Sequence, residues 1–241
     1  MIQESSSSAA SEKPAYKPKK QAVLTSLGVS VKDPKASANK DTVKRVRQKV
    51  TLASLGVKVR KNYLDKSKLQ ELIAECEAIS YTRFVHPRWK QNLPFEQTLV
   101  HFGDKEETYT YTGIKIKSVP APATVAETAQ KIGAEAGRKF RIAFINKYGE
   151  NDCINPHQDL REVASQTSIH SISLGGTRVF KVTTLDGTKV AEEPVEENDY
   201  IVMSHEMNST CLHSVPRPTK TWAKKIGEKI NQNRYNITFR E

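Results

Sequence analysis

At 241 residues the chain is long enough for one domain with a full hydrophobic core plus an appendage, and too short for two large domains. Its basic excess is confined to one end: residues 1–61 carry 14 Lys and Arg against 4 Asp and Glu, whereas residues 62–241 carry 24 against 23. Cys76, Cys153 and Cys211 share no C-x-x-C spacing, which argues against a disulfide framework or a zinc site. The absence of a signal-like apolar run or a bilayer-length stretch leads us to expect a soluble, monomeric protein of the cytoplasm or nucleus.

Residues 1–61 contain one aromatic, Tyr16, and are rich in Lys, Ser, Ala and Val. Such a composition cannot bury enough apolar surface to offset the entropy of ordering the chain. We expect a mostly disordered basic arm, which is either a tether to a polyanion, since phosphate contacts gain from counterion release, or a solvated tail with no specific partner. A pattern occurs twice within it, Leu24-x-Ser26-Leu27-Gly28-Val29-x-Val31 and Leu52-x-Ser54-Leu55-Gly56-Val57-x-Val59. Two copies are too few for a solenoid, which leaves a tandem docking motif for a protein partner or a duplication without one.

Further along, Leu69, Leu72, Ile73, Cys76 and Ile79 recur at helical spacing and predict a helix over Ser67–Ile79, with a second over Ala123–Gly137. From Phe140 the period becomes that of strands: Phe140–Tyr148, Ser168–Leu174, Arg178–Thr184, Tyr200–Ser204 and Arg234–Arg240, separated by Gly, Pro, Asn and Asp. The expected fold is α+β, mainly β: a double-stranded β-helix (jelly roll) with flanking N-terminal helices, occupying residues 62–241 behind the arm.

The chemistry is concentrated in that second part. His157 and Asp159 are two apart, so on extended backbone they share a face and can meet one cation. Two His and one carboxylate leave half of an octahedral iron's positions open to a co-substrate and O₂. For the third ligand there are two candidates, His205 at a strand end beside Glu206 and His213 in an apolar segment before Pro216. In Arg234-Tyr235-Asn236-Ile237-Thr238-Phe239-Arg240 the polar residues all fall on even positions, so one face suits anions and the other the core. Guanidinium forks bind carboxylates in bidentate geometry, which makes this strand a candidate cradle for a small dicarboxylate. Asn146 and Tyr148 share a strand face and can donate an amide and a phenol to the same ligand.

Taken together, Asn146-x-Tyr148, His157-x-Asp159, Ser171-Ile172-Ser173-Leu174-Gly175, a distal His and the closing R-Y-N-I-T-F-R resemble the AlkB family of nucleic-acid dealkylating dioxygenases, over roughly residues 63–241. The resemblance implies Fe(II) held by His157, Asp159 and His213, with His205 set aside. It also implies 2-oxoglutarate held by Asn146, Tyr148, Arg234, Asn236 and Arg240, O₂ as oxidant, and N-alkylated bases of DNA or RNA as substrate. Phe102-Gly103-Asp104 and Tyr109-Thr110-Tyr111-Thr112-Gly113 resemble the family's nucleotide-recognition segment. There Phe102, Tyr109 and Tyr111 would stack on an extruded base, or else merely pack a hairpin. The family often has an acid soon after the metal Asp; here Leu160 and Arg161 come first and Glu162 follows, so Arg161 and Glu162 are the candidate base contacts and the adduct is unspecified. Rival expectations are a 2-oxoglutarate oxygenase acting on protein or another modified base, and an inactive nucleic-acid-binding adaptor.

Overall fold

The computed structural model describes residues 50–230 and 232–241. A 3-10 turn at Ala53–Leu55 leads into β1 (Val57–Arg60), α1 (Lys66–Ala78), β2 (Glu96–His101), the hairpin β3 (Thr108–Tyr111) and β4 (Ile114–Lys117), β5 (Val119–Pro120) and α2 (Ala123–Ala136). There follow β6 (Ile142–Tyr148), β7 (Ile154–His157), α3 (Leu160–Ser165), β8 (Ile169–Gly175), β9 (Arg178–Thr184), β10 (Lys189–Val195) and β11 (Asp199–Met203). The chain closes with α4 (His205–Thr210), β12 (Cys211–Val215), α5 (Lys220–Ile226), a second 3-10 turn at Gly227–Ile230 and β13 (Arg234–Arg240).

Seven strands form one sheet in the order β1-β11-β8-β13-β6-β2-β5, and four form a second in the order β10-β9-β12-β7. The alternation foreseen for β13 decides the layering. Tyr235, Ile237 and Phe239 join a core with Leu72 and Cys76 of α1 and Val125 and Ile132 of α2, so the helices cover one face of the large sheet. The even residues of β13 face a cavity whose other wall is the small sheet, through His157, Phe180, His213 and Val215. Because side chains alternate with period two, a single strand serves the apolar core and the polar cavity at once. This is the expected jelly roll with flanking helices.

Local chemistry sets the helix ends. Asp65 caps α1 by accepting a hydrogen bond from the Lys68 N–H at 2.9 Å. Gly137 ends α2 at φ 65°, a left-handed conformation that a side chain would strain.

The boundary at residue 61 needs correction. Leu52, Leu55 and Val57 are buried, and Val57–Arg60 pairs antiparallel with β11 through Val57↔Met203 to Arg60↔Tyr200. The second copy of the repeated pattern is therefore an edge strand of the domain, with Leu55 only 4% exposed and out of a partner's reach. Composition averaged over 61 residues hid a short apolar segment whose burial depends on the rest of the fold. The first copy, residues 24–31, lies outside the described residues, as does most of the expected arm. Among the described residues no helix is long and apolar enough to cross a membrane.

Candidate active site

Antiparallel pairing of β12 with β7 sets His213 directly opposite His157, with ring centroids 4.2 Å apart. Asp159 follows His157 by two residues, and its carboxylate oxygens lie 3.8 Å from His157 Nε2 and 3.8 Å from His213 Nε2. One ligand atom from each residue falls within 4.8 Å of the other two, a span that one metal ion can close. His205 is not in this group; it is the first residue of α4.

Surrounding groups fix the three ligands. His157 Nδ1 lies 2.8 Å from the Asn155 carbonyl, a contact that places the proton on Nδ1 and leaves Nε2 free to bind metal. The fully buried Asn208 of α4 accepts from the Asp159 N–H at 3.0 Å and donates to the Asp159 carbonyl at 3.0 Å, clamping its backbone. Burial by itself would raise the Asp159 pKa. The Arg240 guanidinium, 3.1 Å away, and the two imidazoles outweigh that and hold it well below the usual carboxylate range. Burial, aided by the neighbouring His157, pushes His213 down to about 3, so its imidazole is neutral and ready to coordinate at physiological pH.

The polar wall of the cavity arises from strand register. Gln97, Asn146, Asn236 and Ser173 lie directly opposite one another across β2, β6, β13 and β8, forming one polar row. In the next row Arg234 lies between Tyr148 and Gly175. Arg234 donates through Nε to Ser173 Oγ at 3.0 Å and through Nη2 to Asn236 Oδ1 at 2.9 Å. Its Nη1 is buried without a partner, as are Gln97 Nε2 and Asn146 Oδ1. Burial lowers the Arg234 pKa and so disfavours the cation, a cost that an anion entering the cavity would relieve. The cleft between the two sheets opens to solvent. The unpaired N–H groups of Arg234 and Gln97 in this cleft suit an anionic partner, so these residues fit a carboxylate co-substrate.

Two glycines place Arg234. A Cβ on Gly175 would come within 2.4 Å of the Asn233 carbonyl, and one on Gly176 within 2.4 Å of the Gln232 carbonyl. Only glycine lets the β8–β9 turn approach the chain entering β13 this closely.

The expected residues divide by position. His157, Asp159, Asn146, Tyr148, His213, Arg234, Asn236 and Arg240 all line the cavity, as does Tyr111. Arg240 differs from expectation: it pairs with Asp159 and also with Glu162, so its guanidinium is committed to two carboxylates, whereas Arg234 faces no carboxylate and keeps Nη1 without a partner. Glu162 is correspondingly buried on α3 and engaged with Arg240. Arg161 donates to the Glu241 carbonyl at 2.8 Å and lies over the Tyr109 ring at 5.5 Å, while Tyr109 meets Phe144 edge-on at 4.9 Å. Phe102 does not reach the cavity; it stacks on Phe239 at 6.4 Å on the helical side of the sheet. Sequence reading missed Gln97, Phe180, Ser173 and Asn208. The first three could have been sought on the polar or cavity face once register was known, whereas nothing around Asn208 signals its clamp.

A jelly roll whose two sheets bring two imidazoles and a carboxylate together, beside a guanidinium with one nitrogen still unpaired, defines a class, the metal-dependent oxygenases with an anionic co-substrate. Residues 56–240 match the family model described as the 2OG-Fe(II) oxygenase superfamily, and the chain belongs to it. It is accordingly a dioxygenase that uses Fe(II), 2-oxoglutarate and O₂, and the His-Asp-His group suits the iron. Among solved structures, that of OsALKBH1 is similar with a TM-score of 0.53 at 18% identity, covering 77% of this chain and 98% of that one. An oxidoreductase of the 2OG-Fe(II) oxygenase family from Burkholderia pseudomallei gives 0.51 at 15% identity, covering 78% and 86%. These likenesses concern the fold. No curated protein matches the chain.

Proposed function

We propose that this dioxygenase oxidatively dealkylates N-alkylated bases of DNA or RNA. The observation that carries the reading is the β3–β4 hairpin. It sets Tyr111 in the wall of the metal cavity and Tyr109 beside it, both against Phe144, an aromatic rim where a flat base can stack. The fold likeness to OsALKBH1, whose name marks it as an AlkB homologue, agrees with it.

In this reading His157, Asp159 and His213 hold the iron, and Arg234, with Tyr148, Asn146 and Asn236 around it, receives a carboxylate of 2-oxoglutarate. Bound there, iron and 2-oxoglutarate would supply O₂ activation, with CO₂ and succinate as co-products and one oxygen atom delivered to the N-methyl C–H bond; the N–C bond of the hydroxymethylated base would then break, leaving formaldehyde and a proton on nitrogen. Arg240 keeps Asp159 ionised and oriented, and through Glu162 ties α3 to β13. Tyr111 and Phe144 keep the rim apolar and dry, which favours insertion into the positioned C–H bond over leakage to solvent.

The test is anaerobic reconstitution of the full chain with Fe(II) and 2-oxoglutarate, then exposure to air with N-methylated oligonucleotides read by mass spectrometry. Loss of 14 mass units per methyl, as roughly the mass of CH₂, together with stoichiometric succinate is the expected result. Succinate formation stimulated by methylated peptides and by no oligonucleotide would refute the reading.

A further inference from the structure

β12 and β13 both carry cavity residues, and the chain between them leaves the cavity wall and returns to it. Both ends of this excursion are clamped. At the start, Arg217 Nε donates to the Asn151 carbonyl at 3.1 Å. At the return, the fully buried Arg178 spends its guanidinium on main-chain carbonyls: Gly149 at 3.1 Å, Gln232 at 3.0 Å, Thr177 at 3.1 Å, and Ile230. The Thr177 N–H also donates to the Lys229 carbonyl at 2.9 Å.

Between the clamps stands α5, capped by Thr219 and ended at Gly227, with no buried residue. A seven-residue helix gains little from its own length, and this one packs only through the half-buried Trp222, Ala223 and Ile226, which leaves Lys220, Lys224 and Lys225 on its exposed face. Its charge is distinctive. Residues 217–229 carry Arg217, Lys220, Lys224, Lys225 and Lys229 against Glu228 alone, whereas the remainder of residues 62–241 carries 19 basic against 22 acidic residues. Elsewhere several cations are neutralised, as Arg83 is by Asp152, Arg138 by Glu241 and Lys147 by Glu96. Among the described side chains, which do not include that of Glu228, none of the five cations of this excursion is ion-paired with a carboxylate. Trp222 lies among them, with Lys225 Nζ 4.4 Å from its ring centroid. Unpaired cations around an aromatic ring match the chemistry of a strand whose phosphates need countercharge and whose bases offer flat faces.

We propose that the Arg217–Lys229 excursion is a binding face for the sugar–phosphate backbone of the nucleic acid whose base enters the cavity, with Trp222 as a stacking surface. This rests on the dealkylase reading. Because the excursion is clamped at both ends and flanked by β12 and β13, which line the cavity, the face could hold the strand in register with the metal site.

The experiment uses the full chain and fluorescein-labelled dT20, followed by anisotropy from 50 to 200 mM salt. The comparison is with a variant combining Lys220→Ala, Lys224→Ala, Lys225→Ala and Lys229→Ala. Each lost phosphate contact flattens the log–log salt slope by roughly 0.7 on single strands, so a decrease of about 2–3 is expected, with at least about tenfold weaker binding at low salt. Binding of 2-oxoglutarate and the melting temperature should not change. With Trp89→Phe, Trp222 is the sole tryptophan, and its fluorescence should be quenched by dT20 and much less by a methylphosphonate dT20. An unaltered slope and affinity in the quadruple variant, with wild type still binding and demethylating oligonucleotides, would overturn the face and leave the dealkylase reading intact. Failure of the wild-type chain to bind or demethylate any oligonucleotide would overturn both. Loss of binding to phosphatidylserine vesicles with dT20 binding retained would assign the face to a membrane surface and overturn the proposal.

Discussion

Replacing Arg234 by Ala is the sharpest test of the co-substrate assignment. The guanidinium is buried in the cavity wall, held by Ser173 and Asn236, with Nη1 unpaired. A carboxylate there would gain at least two charge-assisted hydrogen bonds, each worth about 1.5–3 kcal/mol. Their loss should weaken 2-oxoglutarate binding by about 3–6 kcal/mol, or roughly 10²- to 10⁴-fold at 1.4 kcal/mol per decade. Ser173 Oγ and Asn236 Oδ1 would also lose their partner, at a stability cost of about 1–2 kcal/mol. Arg234→Lys restores charge without the fork and should recover part of the affinity. Calorimetric titration of 2-oxoglutarate into the anaerobic protein, with Mn(II) replacing Fe(II), separates binding from turnover. Unchanged 2-oxoglutarate affinity in a folded Arg234→Ala protein would refute the assignment.

His213→Ala should abolish stoichiometric Fe(II) binding, whereas His205→Ala, outside the triad, should leave it near wild type; anaerobic metal titration checks the order, and the reverse order would exchange the two roles. Gly56→Ala should destabilise the domain by about 2–3 kcal/mol, because the new Cβ would lie 2.5 Å from Ser204 Oγ at a backbone φ of 89°. A fall of roughly 5–10 °C in melting temperature is expected, and an unchanged value would mean that the Leu52–Arg60 segment does not dock on β11. His213 titrates lower in the fold than its unfolded value of 6.5, so the unfolded chain binds more protons between the two. The chelated protein should therefore lose up to about 1.4 kcal/mol per pH unit as pH falls from 6.5 towards 4, while the Asp159 contribution persists until pH drops through its lower folded value. Urea midpoints across that range, compared with His213→Gln, measure the slope; equal slopes would contradict it.

Much of the site was legible because its chemistry is local. His157 and Asp159 reach one point through spacing two on extended backbone, and the even positions of residues 234–240 display their polarity whatever surrounds them. Helices α1 and α2 were readable for the same reason, since their apolar residues repeat within a few turns. His213 was preferred to His205 through the family resemblance, but the contact that brings it to His157, the pairing of β12 with β7 more than fifty residues away, is encoded by no local pattern. The polar row from Gln97 to Ser173, the commitment of Arg240 to Asp159 and Glu162, and the clamp of Asn208 likewise depend on register and packing between distant elements. Residues 52–60 make the contrast plainest. Their composition is that of the basic arm, and their order comes from the edge of β11 and the buried pockets it offers to Leu52, Leu55 and Val57. Periodicity and residue chemistry thus specified the strands, helices and most ligands, because those signals lie within one element. Which strand faces which, and hence which polar atoms remain unpaired in the cavity, was settled only by the assembled sheets, because hydrogen-bond partners and burial are properties of the whole fold.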